Sequence, residues 1–247
     1  MDAAIIIVRN SSSRLPNKAI MPVQGNLKAI EIVIKRAKKT NLPVILATST
    51  DSTDEIFATI AEKNDVKIFR GSLLNKIKRW YDCFNKFDLD NAILVDGDDL
   101  AFNYDIGNRA LQKLKTTDSE LILNPNNIVC GFFTYAINRE GIKKLYELVN
   151  SDTANTDVPT KFMELAHLKT SYVDLESHES NREIRLTLDY KDDLDFFRKL
   201  YENVEVAANG EEIINFLDKN KNISKINFHR QKDYLENQKK FNEKIEI

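Results

Sequence analysis

The chain has 247 residues, enough to bury one full core. Its 36 basic and 38 acidic residues leave a net charge of −2, so bulk charge gives no reason to expect a nucleic acid or a membrane surface as partner. Two cysteines, Cys83 and Cys130, supply neither a disulfide framework nor a metal spacing, and they read as reduced thiols of a cytoplasmic protein.

The N-terminal apolar run, Ala3–Val8, is too short for a signal peptide and predicts a first strand. No segment approaches the ~18 apolar residues of a membrane span. Apolar residues at Ile30, Val33, Ile34 and Ala37 predict a helix over Leu27–Thr40. Val44–Thr48 reads as a strand, and Thr53–Lys63 as a helix capped by Ser52 with Glu55 in a capping box. A strand at Val66–Phe69, a helix at Leu73–Phe87 and a strand at Ala92–Val95 follow. Further strands are expected at Leu121–Leu123, Cys130–Tyr135, Ser171–Val173 and Arg185–Leu188. Helices are expected at Gly141–Val149, Lys161–Leu168, Lys191–Tyr201 and Glu211–Asp218. The strands are continuously apolar and alternate with helices, which predicts a mostly parallel sheet covered on both faces. The expected organisation is one domain over 1–222 and a charged helical tail over 223–247, with Tyr234, Leu235 and Phe241 at near-helical spacing.

Open parallel sheets bind ligands beyond the carboxyl ends of their strands, so the loops there carry the candidate chemistry. After the first strand, Arg9, Arg14 and Lys18 fall within ten residues, with Ser11, Ser12 and Ser13 between them. On charge alone this is a solvated surface loop; directly after a buried strand it reads as a phosphate site, where turn amides and cations converge on one anion. It has no glycine and no Gly-Lys-Ser/Thr ending, so it is not a Walker loop. After the fourth strand, Asp96-Gly97-Asp98-Asp99 packs carboxylates that repel unless a cation sits among them. A polar turn with an Asp cap is the alternative. Asp189 ends the Arg185–Leu188 strand; as cleft carboxylate or as helix cap, the two readings stand level. The chain shows no evident Cys–His or Ser–His pairing, and its histidines (His167, His178 and His229) read as structural or solvated.

In order along residues 4–201, these segments resemble the cytidylyltransferases of the spore-coat polysaccharide type, relatives of CMP-KDO and CMP-sialate synthetases. Val8-Arg9-Asn10-Ser11-Ser12-Ser13-Arg14-Leu15-Pro16-Asn17-Lys18 is similar to their opening Ala-Arg-x-x-Ser-[ST]-Arg-Leu-Pro-Gly-Lys. Val44–Ser49, Phe69-Arg70-Gly71-Ser72 and Arg79-Trp80-Tyr81 match later segments, and Gly97-Asp98 falls on the family's metal-binding Gly-Asp. Arg185-Leu186-Thr187-Leu188-Asp189 falls on Arg-Leu-Thr-Val-Asp. Departures stand at Ser11 and Asn17, where the family has glycine, at Leu73–Lys78, where it is acidic, and at Asp99-Leu100-Ala101.

The resemblance implies a three-layer αβα nucleotidyltransferase of Rossmann-like type that transfers CMP from CTP and releases pyrophosphate. It implies that Arg9, Arg14, Lys18 and Asp98 are catalytic. Val8, Ser12, Ser13, Thr48, Arg70 and Arg79 would meet the nucleotide, and Asp98 and Asp189 would hold Mg2+. The expected acceptor is sugar-like, an acidic keto-sugar for surface glycan, and the expected assembly is a homodimer. A phosphorylated polyol, a sugar phosphate or a phosphonate is the alternative acceptor, with Lys76 and Lys78 as its candidate cations. A non-catalytic nucleotide-binding homologue is the alternative from outside enzymology.

Overall fold

The computed structural model describes residues 1–12, 14–156, 158–180 and 182–243. The first half runs β1 (Asp2–Ile7), a hairpin of β2 (Pro22–Gln24) and β3 (Leu27–Lys28), α1 (Ala29–Ala37), β4 (Val44–Ser49), α2 (Ile56–Lys63), β5 (Lys67–Gly71), α3 (Lys76–Phe87) and β6 (Asn91–Asp96). The second half runs α4 (Tyr104–Thr116), β7 (Leu121–Leu123), β8 (Tyr135–Asn138), α5 (Arg139–Leu148), α6 (Thr160–Leu165), β9 (Thr170–Tyr172), α7 (Lys191–Tyr201), α8 (Gly210–Lys219), α9 (Lys221–Phe228) and α10 (Arg230–Glu243).

Among the described residues seven strands form one sheet, ordered β5-β4-β1-β6-β8-β7-β9. The left half and the β7–β9 pair are parallel, while β8 runs antiparallel to both neighbours. Alternate residues of each strand enter different cores. Ala4, Ile6, Leu46, Ile93 and Val95 pack with α1, α2, α4, α7 and α8 on one face. Ala3, Ile5, Ile45, Ala92 and Leu94 pack with α3, α5 and α6 on the other. This explains why the strands read as unbroken apolar runs: both faces are buried, and each Ile so placed contributes about 1.5–3 kcal/mol. The three-layer αβα architecture expected from the sequence is thus the one observed.

Several boundaries depart from expectation, each for a local reason. The expected strand at Cys130–Tyr135 is displaced to Tyr135–Asn138, because Gly131 takes a left-handed φ of 88° that breaks the extended run. Arg185–Leu188 is extended but forms no ladder; it is pinned by single bonds, Leu186 N to Cys130 O (2.8 Å) and Leu188 N to Asp98 O (2.8 Å). The capping box at Ser52 does not form. Asp51 caps a short 3-10 turn there instead, accepting from Thr53 N at 2.9 Å. Helix α4 stands where the sequence reading places no element, although Asn103 caps it, accepting from the amides of Asp105 and Ile106, and Ile106, Ala110, Leu111 and Leu114 give helical spacing.

Candidate active site

Strands β1 and β6 are parallel neighbours, with Ile7 opposite Asp96. From β1 the chain crosses to β4 on one side, and from β5 it returns to β6 on the other. The loops after β1 and β6 therefore diverge, which is where an open α/β sheet leaves a ligand crevice. The crevice here is a cleft of about 1100 Å³. Gly97 lets its two loops close on each other: its N–H donates to Ile7 O at 2.8 Å, and a Cβ at Gly97 would lie 2.8 Å from that same oxygen. Asp54 ties down the start of the first loop, accepting from Asn10 N at 2.7 Å and from Ser49 Oγ at 2.5 Å.

Asn17 occupies the left-handed region (φ 59°), a conformation asparagine tolerates better than most residues, and a 3-10 turn then begins at Lys18. The turn aims Lys18 into the cleft. Its Nζ donates to Asp98 Oδ2 at 2.5 Å and to Asp189 Oδ1 at 2.9 Å. Arg14 donates to the same Asp189 oxygen. From behind, the fully buried Arg185 donates to Asp189 Oδ2 at 2.9 Å and to Asp193 Oδ1 at 3.0 Å. Asp193 accepts from the Asp189 and Tyr190 amides at the start of α7, so the helix entry and the site share one carboxylate.

The carboxylates are driven apart in acidity. Burial opposes ionisation of Asp189, but Lys18, Arg14 and Arg185 outweigh it and hold the carboxyl far below the usual range. Burial raises Asp98 above the ordinary value, Asp189 and Asp96 add to this, and Lys18 only partly offsets them. Asp99 is raised furthest, by burial and then by Asp98 and Asp96. Lys18, despite its own burial, is held firmly protonated by the two carboxylates. Burial pushes the Cys130 thiol up to about 12, so it is no nucleophile at neutral pH.

Asp98 Oδ2 and Asp189 Oδ1 converge on one point, where the Lys18 ammonium now lies. Among the described residues no group of three or more His, Cys, Asp or Glu side chains is arranged to hold a metal ion. Two hard oxygen donors facing a polar cleft nevertheless fit Mg2+, which binds through one or two carboxylates and completes its shell with water and substrate phosphates.

Val8, Arg9, Ser12, Arg14, Lys18, Arg79, Asp98 and Asp189 all line the cleft. Ser13 lies outside the described residues. Two residues expected to meet the nucleotide stand away from the cleft. Thr48 is fully buried inside β4, and Arg70 turns back to donate to Ser49 O (3.0 Å) and Asp51 O (2.9 Å); neither lines the cleft. Lys78, a candidate acceptor cation, faces Asp82 at 2.7 Å and Asp152 at 3.6 Å instead. Lys76 does reach the cleft and pairs with Asp96 at 2.7 Å. Trp80 is fully buried and Tyr81 stacks on Tyr146, which places both rings in packing roles. Asp96, one of the packed carboxylates after β6, also lines the cleft, as do Gln231 and Tyr234 of α10, to which the sequence assigned no place in the site. The tail's only signal was its near-helical aromatic spacing.

A family model described as cytidylyltransferase matches residues 3–241. The spore coat polysaccharide biosynthesis protein SpsF of Bacillus subtilis is 23% identical over 228 residues, covering 87% of this chain and 93% of its own. A cytidylyltransferase structure from Leptospira borgpetersenii superposes with a TM-score of 0.79 at 22% identity, covering 91% of this chain and 97% of the other. The structure of a CMP:2-keto-3-deoxy-manno-octonic acid synthetase complexed with CTP superposes with a TM-score of 0.60 at 17% identity, covering 82% and 99%. These structural likenesses establish the nucleotidyltransferase fold.

Proposed function

The chain belongs to the cytidylyltransferase family, and on that premise we propose that it transfers CMP from CTP to an acidic keto-sugar, releasing pyrophosphate. The observation that carries the reading is the convergence of Lys18, Asp98 and Asp189 at the crevice between β1 and β6. Three cations on one loop, Arg9, Arg14 and Lys18, suit the β- and γ-phosphates of a nucleoside triphosphate, and Ser12 adds polar groups beside them. Asp98 and Asp189 would hold Mg2+, which supplies charge neutralisation at the α-phosphate.

In the proposed reaction an acceptor hydroxyl oxygen bonds to the α-phosphorus, the α–β bridging oxygen departs with pyrophosphate, and the hydroxyl proton passes to water. The protein's part is positioning and electrostatics rather than covalent chemistry. Arg14 and Lys18 are poised to exchange carboxylate partners for phosphate oxygens, because both already sit on Asp189 within the cleft.

The acidic keto-sugar draws support from the SpsF relative and from the CTP-bound octonic acid synthetase, whose names place them in polysaccharide and keto-sugar chemistry. A phosphorylated acceptor loses half of its expected cations, since Lys78 is turned to Asp82 and Asp152. Pyrophosphate release with CTP and Mg2+ tests the reading against two panels, acidic keto-sugars and polyol phosphates. Release with the first panel is expected. Release with the second alone would overturn the acceptor, and none with either panel would overturn the transfer.

A further inference from the structure

Helix α10 docks by polar and cation–π contacts rather than by an apolar face. Its Leu235 is 53% exposed. Tyr234 instead lays its ring on the guanidinium of Arg185, 4.9 Å from centroid to carbon. Gln231 Oε1 accepts from Arg185 Nη1 at 3.2 Å. Around this pair, Arg230 donates to Asp192 at 2.8 Å, and Asn237 donates to the Tyr190 hydroxyl at 3.1 Å. These contacts all fall on the segment 185–192, which carries Asp189.

Arg185 is thereby fixed on every side. Its Nε and Nη2 go to Asp193 and Asp189, its Nη1 goes to α10, and its Cζ lies over the rings of Tyr234 (4.9 Å) and Tyr190 (5.7 Å). Arg185 in turn holds Asp189 Oδ2, leaving Oδ1 for the cleft. A planar guanidinium held by a fork and by an aromatic face has one orientation, and a carboxylate bonded to it inherits that orientation.

We propose that Tyr234 is a positioning residue for cation binding: through Arg185 it orients Asp189 toward Asp98. This rests on the assignment of Asp98 and Asp189 as the cation pair. The arrangement matches a pattern general to metal sites, in which the groups behind a ligand tune affinity by about 10–100-fold. The Tyr234 hydroxyl accepts from Gln238 at 2.5 Å rather than touching either carboxylate, so the ring is the working part.

The test uses the full chain with CTP and Mn2+, read by electron paramagnetic resonance, so that no turnover is needed. Tyr234→Phe keeps the ring and should bind Mn2+ within about twofold of the parent protein. Tyr234→Leu keeps an apolar side chain, smaller and without the π face, and should weaken Mn2+ binding about tenfold, with metal-free CTP affinity unchanged. Equal Mn2+ affinity in the Phe and Leu variants, both folded by circular dichroism, would overturn the proposal. Asp189→Asn is the control: if it too leaves Mn2+ binding unchanged, the cation assignment itself fails.

Discussion

Lys18 Nζ lies 2.5 Å from Asp98 Oδ2 across a sequence separation of 80 residues. The contact joins the loop after β1 to the loop after β6, and its second arm reaches Asp189 on the far side of the cleft. A tethered ammonium thus stands where the half-buried Asp98 and the buried Asp189 would otherwise face each other. A divalent cation entering that point would have to displace it, freeing Lys18 for a phosphate.

The first prediction concerns that swap. Lys18→Met leaves Asp98 and Asp189 facing each other with less compensation. Since both Lys18 and Asp98 retain some solvent contact, the cost should be about 2 kcal/mol rather than the 3–5 of a fully buried break. That corresponds to a melting temperature lower by roughly 4–8 °C for a chain of this size. Mg2+ should recover part of the loss in the variant while shifting the parent less. Thermal melts with and without Mg2+ check this, and a loss insensitive to Mg2+ would count against the shared position.

Asp99 gives a pH prediction. Its folded-state carboxyl is raised well above the ordinary value by burial and by Asp98 and Asp96. Such a group favours the fold when protonated, and that contribution is lost as pH rises through the folded-state value. Asp99→Asn abolishes the titration and still accepts from Thr134 Oγ1, which lies 3.3 Å away. The variant should match the parent near pH 4 and melt higher by about 2–4 °C near pH 8 without Mg2+. Melts across this range check the sign; a variant less stable at pH 8 would reverse it.

Gly97→Ala should damage the site more than its size suggests. The new methyl would press on Ile7 O at 2.8 Å and on Val8 Cβ at 2.9 Å, forcing the β1 and β6 loops apart. An apparent shift of about 1 Å at a reacting centre is enough to cost on the order of 100-fold in rate. Steady-state kinetics with CTP and acceptor should show a fall of that order in kcat, with the far-ultraviolet spectrum retained.

Arg70→Ala separates structure from nucleotide contact. Arg70 spends its donors on the Ser49 and Asp51 carbonyls, so its loss should destabilise the β4 exit by about 1 kcal/mol. CTP affinity should change less than about twofold. A tenfold loss in calorimetric CTP binding would restore the nucleotide-contact role that the sequence suggested.

The legible parts of this molecule were those set by local pattern. Ala4, Ile6, Ile5 and their counterparts announce a doubly covered sheet, because every residue of the strand is apolar. The loop after β1 announced Arg9, Arg14 and Lys18 through charge density beside a buried strand. What stayed hidden depended on where side chains turn. Arg70 and Lys78 carry the right charge, but backbone carbonyls and Asp82 capture them before they reach the cleft. Tyr234 lies 45 positions beyond Asp189, and no periodicity could tell that α10 folds back onto the segment carrying it. Gly131 was equally silent, since a left-handed turn inside an apolar run looks like continuing strand.

Titration calorimetry of the full chain with CTP, UTP, ATP and GTP, each with and without Mg2+, addresses the central assignment most directly. CTP should bind at least about tenfold more tightly than the other three, and Mg2+ should strengthen that binding, as expected if Asp98 and Asp189 share a cation with the phosphates. Binding indifferent to the base and to Mg2+, or no binding at all, would contradict it.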